Sequence, residues 1–282
     1  MNKKEIVSKF FERGVLLCPD VLEKITLETE IPPSQLVLTH LPQKPEAGKA
    51  QLTVKDVADF YREKYEGIKE MLLKRLSPTS ISSAKKNFAE VSIIGMVREK
   101  SPAGFIMEDP TGEMEIVTQL PLEAGDVVGM TGLMREGRLV AEEIVYPDIP
   151  LPKQVKKVDV SISFTAERLE GEGEQVVWGE GRNEGNVFFI SRNPAKLSVG
   201  GVEILVFEGE GNPVDWLKKR HLPGKVISPK DPFLIETVPD ILWVIANERK
   251  VEIYKGVTII KTDRKSFVRI NMATQGVEFG DV

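Results

Sequence analysis

Residues 91–145 decide the fold of the middle of this chain, and they read VSIIGMVREKSPAGFIMEDPTGEMEIVTQLPLEAGDVVGMTGLMREGRLVAEEIV. The pattern predicts a strand at 91–97 and two hairpins at 104–117 and 125–145, which turn at 109–112 and 136–137. Five short strands in one stretch, with glycine at the places where strands bend tightly, predict a small closed barrel of the OB type over 84–150.

The chain on either side of this barrel has other patterns. Residues 56–76 place apolar side chains at helical spacing, and with short helices predicted at 2–13 and 19–30 they define a helical N-terminal region over 1–76. A Pro- and Gly-rich linker is predicted within it, at 40–53. The domain over 154–282 is predicted to hold near-continuous apolar strands buried on both faces, and one short helix at 214–222. Those strands are predicted at 158–164, 175–181, 186–191, 202–209, 241–247 and 257–262.

Near the end of the chain, residues 238–260 read VPDILWVIANERKVEIYKGVTII. They predict two buried strands joined by a charged turn at 247–250. Strand ends late in an α/β domain are a common place for metal ligands, yet this stretch has no histidine or cysteine. The predicted fold class is therefore a multidomain α+β protein whose last domain lacks the expected ligand types.

Composition limits the classes of protein to be considered. The chain has 282 residues, 41% of them hydrophobic, and no apolar run long enough to span a membrane. Its one cysteine, Cys18, excludes an internal disulfide and favours a reducing cytoplasm, and Cys18, Trp216 and Trp243 are predicted core residues. The net charge is −5, but residues 89–150 carry 4 Lys and Arg against 12 Asp and Glu, which gives −8.

Several segments, in this order, resemble one family. They are DFYREKYEGIKEMLLKRL, EVSIIGMVREK, EDPTGEMEIV, GDVVGMTG, AEEIVYPDIPLPK, NPAKLSVGGVEILVFEGEG, LKKRHL, VPDI and YKGVTII. Together they are similar to the small subunit of archaeal family D DNA polymerase, over about 55–282 of this chain. In that family an OB barrel precedes a calcineurin-like phosphodiesterase domain. The resemblance implies a 3′–5′ proofreading exonuclease with two metal ions, which is a partner of a large polymerising subunit.

The family's metal ligands come from the motifs Asp-x-His, Gly-Asp, Gly-Asn-His-Asp, a lone His and Gly-His-x-His. Such a site holds the attacking and leaving oxygens of a phosphodiester between two metals. This chain departs from every motif that can be matched, and the asparagine of the third motif is the one ligand type that it keeps. The positions carry Ser163 and Thr165 for the first motif, Glu180 for the second, Asn193, Pro194 and Ala195 for the third, Glu208 for the fourth, and Ala246 and Glu248 for the last.

The histidine count points the same way. The site needs about four histidines, and the chain has two, His40 and His221. His40 lies in the N-terminal region, and His221 lies in a segment, KKRHL, that matches no ligand motif of the family. We predict that the two-metal site is lost and that the chain has no cofactor. His221 is predicted to be a surface or capping residue.

Three functional alternatives stay open on the residues. Glu180, Glu208 and Glu248 could hold Mg²⁺ or Mn²⁺ through oxygen alone, or be solvated surface acids. The barrel could bind single-stranded DNA, although residues 89–150 carry a charge of −8 and Phe105 and Tyr146 are the only aromatics among them. Two basic clusters could contact DNA or an acidic partner, or be ordinary charged faces. They are Lys218, Lys219, Arg220 and His221, and Lys261, Arg264, Lys265 and Arg269.

The favoured interpretation is a scaffold without catalysis. The resemblance extends to eukaryotic polymerase B-subunits, in which an OB barrel and an inactivated phosphodiesterase fold dock a catalytic subunit. The expected partner is a polymerase large subunit or another replication protein, with DNA contact through the complex, no membrane and a cytoplasmic location. A residual metal-dependent exonuclease and a DNA-binding OB protein are the alternatives.

Overall fold

A computed structural model describes residues 36–40, 53–86, 89–151, 159, 161–170, 174–182, 186–199, 202–224, 231–274 and 276–282. The helices predicted at 2–13 and 19–30, and Cys18, lie outside these residues. The described helices are α1 (Val54–Leu72), α2 (Ile81–Ala84) and α3 (Pro213–Lys219). The described strands are β1 (Leu36–His40), β2 (Glu90–Ser101), β3 (Gly104–Asp109), β4 (Gly112–Val117), β5 (Val127–Arg135), β6 (Arg138–Val145), β7 (Ser161–Thr165), β8 (Glu174–Trp178), β9 (Val187–Ile190), β10 (Ala195–Val199), β11 (Val202–Glu208), β12 (Ile241–Ile245), β13 (Lys250–Tyr254), β14 (Val257–Thr262), β15 (Ser266–Asn271) and β16 (Gly276–Asp281).

The protein is an α+β protein that consists mostly of β-sheet, which agrees with the predicted fold class. It divides into two compact units. The sandwich unit takes its described residues from 1–47, 150–211 and 237–282, and the barrel unit from 48–149 and 212–236. The segment 212–236 therefore belongs to the barrel unit, although it lies within the span 154–282 that the sequence assigned to one domain. None of the helices in the described residues is long and apolar enough to cross a membrane.

The barrel unit contains a closed barrel with the strand order β2-β3-β4-β6-β5. Neighbouring strands are antiparallel except for β4 and β6, whose parallel pairing closes the barrel. The two predicted hairpins form as expected, β3 with β4 and β5 with β6. Side chains that alternate toward the inside make the barrel core, among them the fully buried Ile93, Met107, Met130 and Leu139.

Helix α1 packs on the outside of this barrel. It begins two residues before the predicted start because Thr53 caps it: the Thr53 hydroxyl accepts from the Asp56 amide, and the Asp56 carboxylate accepts from the Thr53 amide. It ends at Leu72 rather than at 76. Its apolar face buries Tyr65, Ile68 and Leu72 against strand residues and against Leu234 from the segment 212–236.

Two sheets form the sandwich unit. One has the order β1-β10-β11-β12-β14-β13 and the other β16-β15-β7-β8-β9. One apolar core lies between them, in which the rings of Phe164 and Trp243 are 4.9 Å apart. The predicted burial of Trp243 is confirmed, and so is that of Trp216 in α3. Strand β12 is buried at every residue, as its continuous apolar run predicted.

The prediction for 238–260 was wrong in one respect. The turn after β12 does not lead directly to the second buried strand, because β13 is inserted between them as an edge strand. A tight turn with positive φ at Lys255 and Gly256 then returns the chain, and β14 pairs with β12 in parallel. Strand β13 was missed because it has only five residues and directly follows the charged turn, and β1, β10, β15 and β16 were missed as well.

Candidate functional site

The carboxyl ends of β11, β12 and β14 meet at one edge of the six-stranded sheet, because these three strands run parallel. We call this the carboxyl edge. Four of the positions matched to metal ligands lie at it or next to it. They are Asn193, Glu208, Ala246 and Glu248.

Asn193 is occupied by the backbone of the strand beside it. Its side-chain amide donates to the carbonyl of Glu208 over 2.7 Å, and its Oδ1 accepts from the amide of Glu208 over 3.0 Å. Pro194, which follows through a cis peptide bond, is buried. Asn193, the one matched residue that keeps the family's ligand type, therefore holds its loop against β11. Both polar atoms of its side chain are bonded to the β11 backbone.

The two glutamates of the carboxyl edge are paired with cations of this same chain. Arg264 forms an ion pair with Glu208, and Lys261 forms one with Glu248. The hydrogen bond and the charge of Lys261 hold the pKa of Glu248 below its usual value. Ala246 offers no side-chain ligand, and its amide bonds to the carbonyl of Thr262 over 2.9 Å.

These residues do not fit a pair of divalent cations. A metal between Glu208 and Glu248 would meet the positive charges of Arg264 and Lys261, which already neutralise both carboxylates. Within the described part of the chain, no group of three or more His, Cys, Asp or Glu is placed to hold a metal ion. The residues of the carboxyl edge therefore give no basis for a metal-assisted reaction there.

Of the other matched positions, Ser163 and Thr165 lie on β7 of the five-stranded sheet. The Ser163 hydroxyl accepts from Nε of Arg269 over 3.3 Å, and the Thr165 hydroxyl donates to the carbonyl of Glu167 and accepts from its amide. Glu180 is exposed after the end of β8. The structure therefore does not assemble Glu180, Glu208 and Glu248 into the oxygen-only site that was considered.

The first basic cluster, 218–221, lies on α3 and the residues that follow it, and it is mostly directed into the barrel unit. Nζ of Lys219 lies 2.9 Å from Asp126 and 3.5 Å from Glu123. Burial opposes the charged form, but the hydrogen bond and charge of Asp126 raise the pKa of Lys219. Lys218 is the exposed member and lies 4.0 Å from Asp215.

Arg220 follows the last turn of α3 in a left-handed conformation with φ of 55°. Only 5% of Arg220 is exposed to solvent. Its guanidinium donates to the carbonyls of Ile235 over 2.8 Å and Glu236 over 2.6 Å. Burial, with the nearby charge of Arg75, lowers the pKa of Arg220 to about 10. Arg220 therefore links the end of α3 to the last residues of the segment 212–236.

His221 is largely withdrawn from solvent, so it is not a surface residue, but its amide donates to the carbonyl of Trp216 over 3.0 Å at the end of α3, as the capping alternative predicted. Its Nε2 lies 2.9 Å from Asp231, its side chain is 10% exposed, and that of Asp231 is fully buried. Burial lowers the pKa of His221 although Asp231 favours the charged form. Burial also lowers the pKa of Lys64, which faces Asp231 and Asp126. Sequence patterns gave no sign of this network, because its members come from α1, from the barrel and from 212–236.

The second basic cluster lies at the carboxyl edge and on β15. Lys261 and Arg264 are paired as described, whereas the side chain of Lys265 is exposed. Arg269 lies over the ring of Phe267 and beside Ser163. In the barrel, Phe105 is 5% exposed and belongs to the core, so its ring is not presented to a base.

Comparison with known proteins gives one distant sequence relative. No model of a known protein family matches the chain. The chain is similar to the DNA polymerase II small subunit of Archaeoglobus fulgidus, with 28% identity over 188 residues. The match covers 61% of this chain and 38% of that protein, so the chain corresponds to less than half of its relative. This chain is therefore a distant relative of the archaeal DNA polymerase small subunits, as the resemblance predicted.

Proposed function

We propose that this chain is a non-catalytic accessory subunit of a DNA polymerase assembly and acts in replication or repair. In this proposal the barrel at 84–150 is of the OB type, and the sandwich unit, which takes 154–282 except for 212–236, is a reduced calcineurin-like phosphodiesterase domain. The chain binds a large polymerase subunit or another replication protein in the cytoplasm. DNA is contacted through the complex.

One observation carries the proposal: the carboxyl edge is filled by ion pairs of the chain's own side chains. Glu208 with Arg264 and Glu248 with Lys261 stand where the family resemblance expects metal ligands. A sheet buried on both faces at β12 and β14 has been kept, while the ligand chemistry at its edge has been replaced. A fold that is retained without its site serves stability and surface, which is what a docking subunit needs.

The similarity to a DNA polymerase II small subunit supports a role in a DNA polymerase assembly. The closed five-stranded barrel followed by a two-sheet sandwich supports the domain assignment. The charge of −8 over residues 89–150 disfavours direct attraction of DNA phosphates by the barrel. These observations favour a protein partner over a nucleic-acid partner for this chain.

The first experiment is affinity purification of the full chain from its native cells, with nuclease treatment before the co-purifying proteins are identified. Stoichiometric recovery of a polymerase large subunit is expected. Recovery of the chain as a clean monomer would contradict the docking role. Nuclease treatment matters because it removes proteins that are held only through shared DNA.

The second experiment tests the exonuclease alternative on 3′-labelled single-stranded DNA with Mn²⁺ in excess. No trimming is expected at high protein concentration. Mn²⁺-dependent trimming that is lost in Glu208→Gln or Glu180→Gln would establish the residual nuclease, and Glu136→Gln, at an exposed barrel turn, is the matched control. The DNA-binding alternative requires steeply salt-dependent binding to single strands. We expect no shift at micromolar protein and low salt.

A further inference from the structure

The six-stranded sheet of the sandwich unit ends on one side at the edge strand β13. Among the described residues, β14 is the only strand that pairs with β13, so one side of its backbone is open. Val251 and Ile253 lie on the same face of the sheet as Ile260, which belongs to the sandwich core. They are 36% and 70% exposed. The margin of the apolar core is therefore uncovered at this strand.

The backbone groups of β13 that point outward belong to alternate residues. A two-residue turn at 255–256 joins Tyr254 to Val257, and in such a hairpin the flanking pair exchanges both backbone hydrogen bonds. The pattern alternates along the strand, so Val251 and Ile253 direct their N–H and C=O groups away from β14. A further strand can therefore extend the sheet by bonding to these two residues.

The opposite face of β13 carries Lys250 and Glu252, whose side chains form an ion pair over 2.6 Å. A lysine on an edge strand usually discourages strand addition. A second copy of β13 offers this lysine an acid. If two copies pair antiparallel with Val251 opposite Val251, Lys250 of each lies opposite Glu252 of the other, with Cβ atoms about 5 Å apart. Each charge then gains a second opposite neighbour, and the internal pair need not break.

The other self-pairings of β13 lack this match. A shift that places Glu252 opposite its own copy brings two like charges together, which is unfavourable. A shift that places Ile253 opposite its own copy sets Glu252 against Tyr254 and leaves Lys250 with no acid opposite it. A shift of one residue would turn the apolar side chains of one copy to the other face. Charge therefore selects one register.

The surroundings of β13 do not repel a second copy. Residues 237–282 carry 7 Lys and Arg against 6 Asp and Glu, which gives +1. On β14, Lys261 lies opposite Lys250, but Lys261 is paired with Glu248. More distant charges are largely screened, since the screening length at physiological salt is about 8 Å. The short-range contacts of Lys250 and Glu252 therefore decide how two copies meet.

We infer that this edge is a self-association surface, at which β13 of one copy pairs antiparallel with β13 of a second copy, centred on Val251. On the apolar face, Val251 contacts its copy. Ile253 lies against the aliphatic stem of Arg249, whose guanidinium is held by Asp263 and Asp281. The pairing joins two six-stranded sheets into one and covers the exposed margin of both cores.

The strength of this dimer follows from its size. Strand β13 has five residues, so the contact is smaller than the roughly 800 Å² per partner of a standard interface. We therefore expect a reversible dimer that forms at micromolar concentrations of protein. This self-association does not depend on the proposed polymerase role, because it requires only a second copy of the chain.

The test uses two opposite charge variants of the full chain, Lys250→Glu and Glu252→Lys, in sedimentation equilibrium over a range of protein concentrations. Each variant alone should self-associate about tenfold more weakly than the natural chain, because like charges then face each other across the strands. An equal mixture of the two should form a heterodimer about as tight as the natural dimer, because every lysine again faces a glutamate. A general loss of structure cannot produce this rescue.

Two further variants serve as controls. Lys85→Glu makes the same charge change at an exposed position of the barrel unit and should leave self-association unchanged. Ile253→Thr keeps a β-branched residue but removes exposed apolar surface. It should weaken the dimer and leave the unfolding temperature unchanged, since Ile253 is 70% exposed.

A concentration-dependent dimer that both charge variants weaken and their mixture restores would support the inference. Three results would overturn it: a monomer at every concentration, a dimer that the charge variants leave unchanged, and weakened variants that mixing does not restore. A monomer that loses a co-purifying polymerase subunit in Ile253→Thr would assign the edge to a strand of that partner, and would also overturn it. A monomer that keeps that subunit would leave the proposed function intact.

Discussion

The imidazole Nε2 of His221 lies 2.9 Å from Oδ2 of Asp231, whose side chain is fully buried in the barrel unit. The other carboxylate oxygen of Asp231 accepts from the amide of Phe233 over 2.9 Å. The backbone amide of Asp231 in turn donates to Glu63 in α1 over 3.2 Å. This pair therefore ties the segment 212–236 to the helix that covers the barrel.

Stability should fall on mild acidification because of His221. Burial lowers its pKa below the ordinary 6.5, so in the unfolded chain this histidine takes up a proton at a higher pH than in the folded protein. The contribution of the neutral imidazole is therefore complete above 6.5 and is lost as the pH drops from 6.5 toward the folded-state pKa. We expect the free energy of unfolding to fall by up to about 1.4 kcal/mol per pH unit in that window.

The measurement is denaturant unfolding at several pH values around 6.5. His221→Gln should flatten the dependence. His40→Gln, which changes the only other histidine, should keep it. An unchanged slope in His221→Gln would show that carboxyl groups and not this histidine cause the effect.

Arg220 should be necessary for stability rather than for binding. Arg220→Met removes both donors from the carbonyls of Ile235 and Glu236 and leaves them without this partner. The expected loss is about 2–4 kcal/mol in the free energy of unfolding. Lys218→Met, at the exposed neighbour, should change stability by less than about 0.5 kcal/mol. Equal effects of the two variants would argue against the interior role of Arg220.

Two glycines of β5 should differ sharply in their tolerance of alanine. A Cβ on Gly132 would lie 2.1 Å from the carbonyl oxygen of Val140, where β5 and β6 shift register. A Cβ on Gly129 would meet the flexible side chain of Leu76 at 2.8 Å. Because backbone cannot move aside as a side chain can, Gly132→Ala should lose at least about 2 kcal/mol and Gly129→Ala less. Thermal unfolding of both variants checks this, and the reverse order would contradict the barrel register.

The stability of the sandwich core should depend on the hydroxyl that pairs with the indole of Trp243. Its Nε1 donates to Oγ1 of Thr262 over 2.8 Å in the core of the sandwich unit. Thr262→Val keeps the shape but leaves this donor unpaired, which should reduce the free energy of unfolding by about 1–3 kcal/mol. Thr262→Ser keeps the hydroxyl and should lose less. If the two variants were equally stable, the hydrogen bond would carry none of the stability.

Local patterns determined much of the fold. The hairpins 104–117 and 125–145 were predictable because each is closed by a turn with its own residue preference and is completed by contacts within one short stretch. The buried strands β12 and β14 were predictable because continuous apolar runs have few other places in a folded chain. The edge strand β13 was not, since it has only five residues, three of them exposed, and it directly follows the charged run 247–250 that predicts a turn.

The sequence by itself also predicted the loss of a histidine-rich metal site, because the chain has two histidines and the family resemblance implies about four. Only the tertiary structure decided what occupies the carboxyl edge, and that three members of a basic run are directed inward. The physical reason is that a charged side chain looks the same in a sequence whether it is solvated or buried. Its role depends on which distant residue is brought within a few ångströms of it, as Lys261 is to Glu248 and Lys219 is to Asp126.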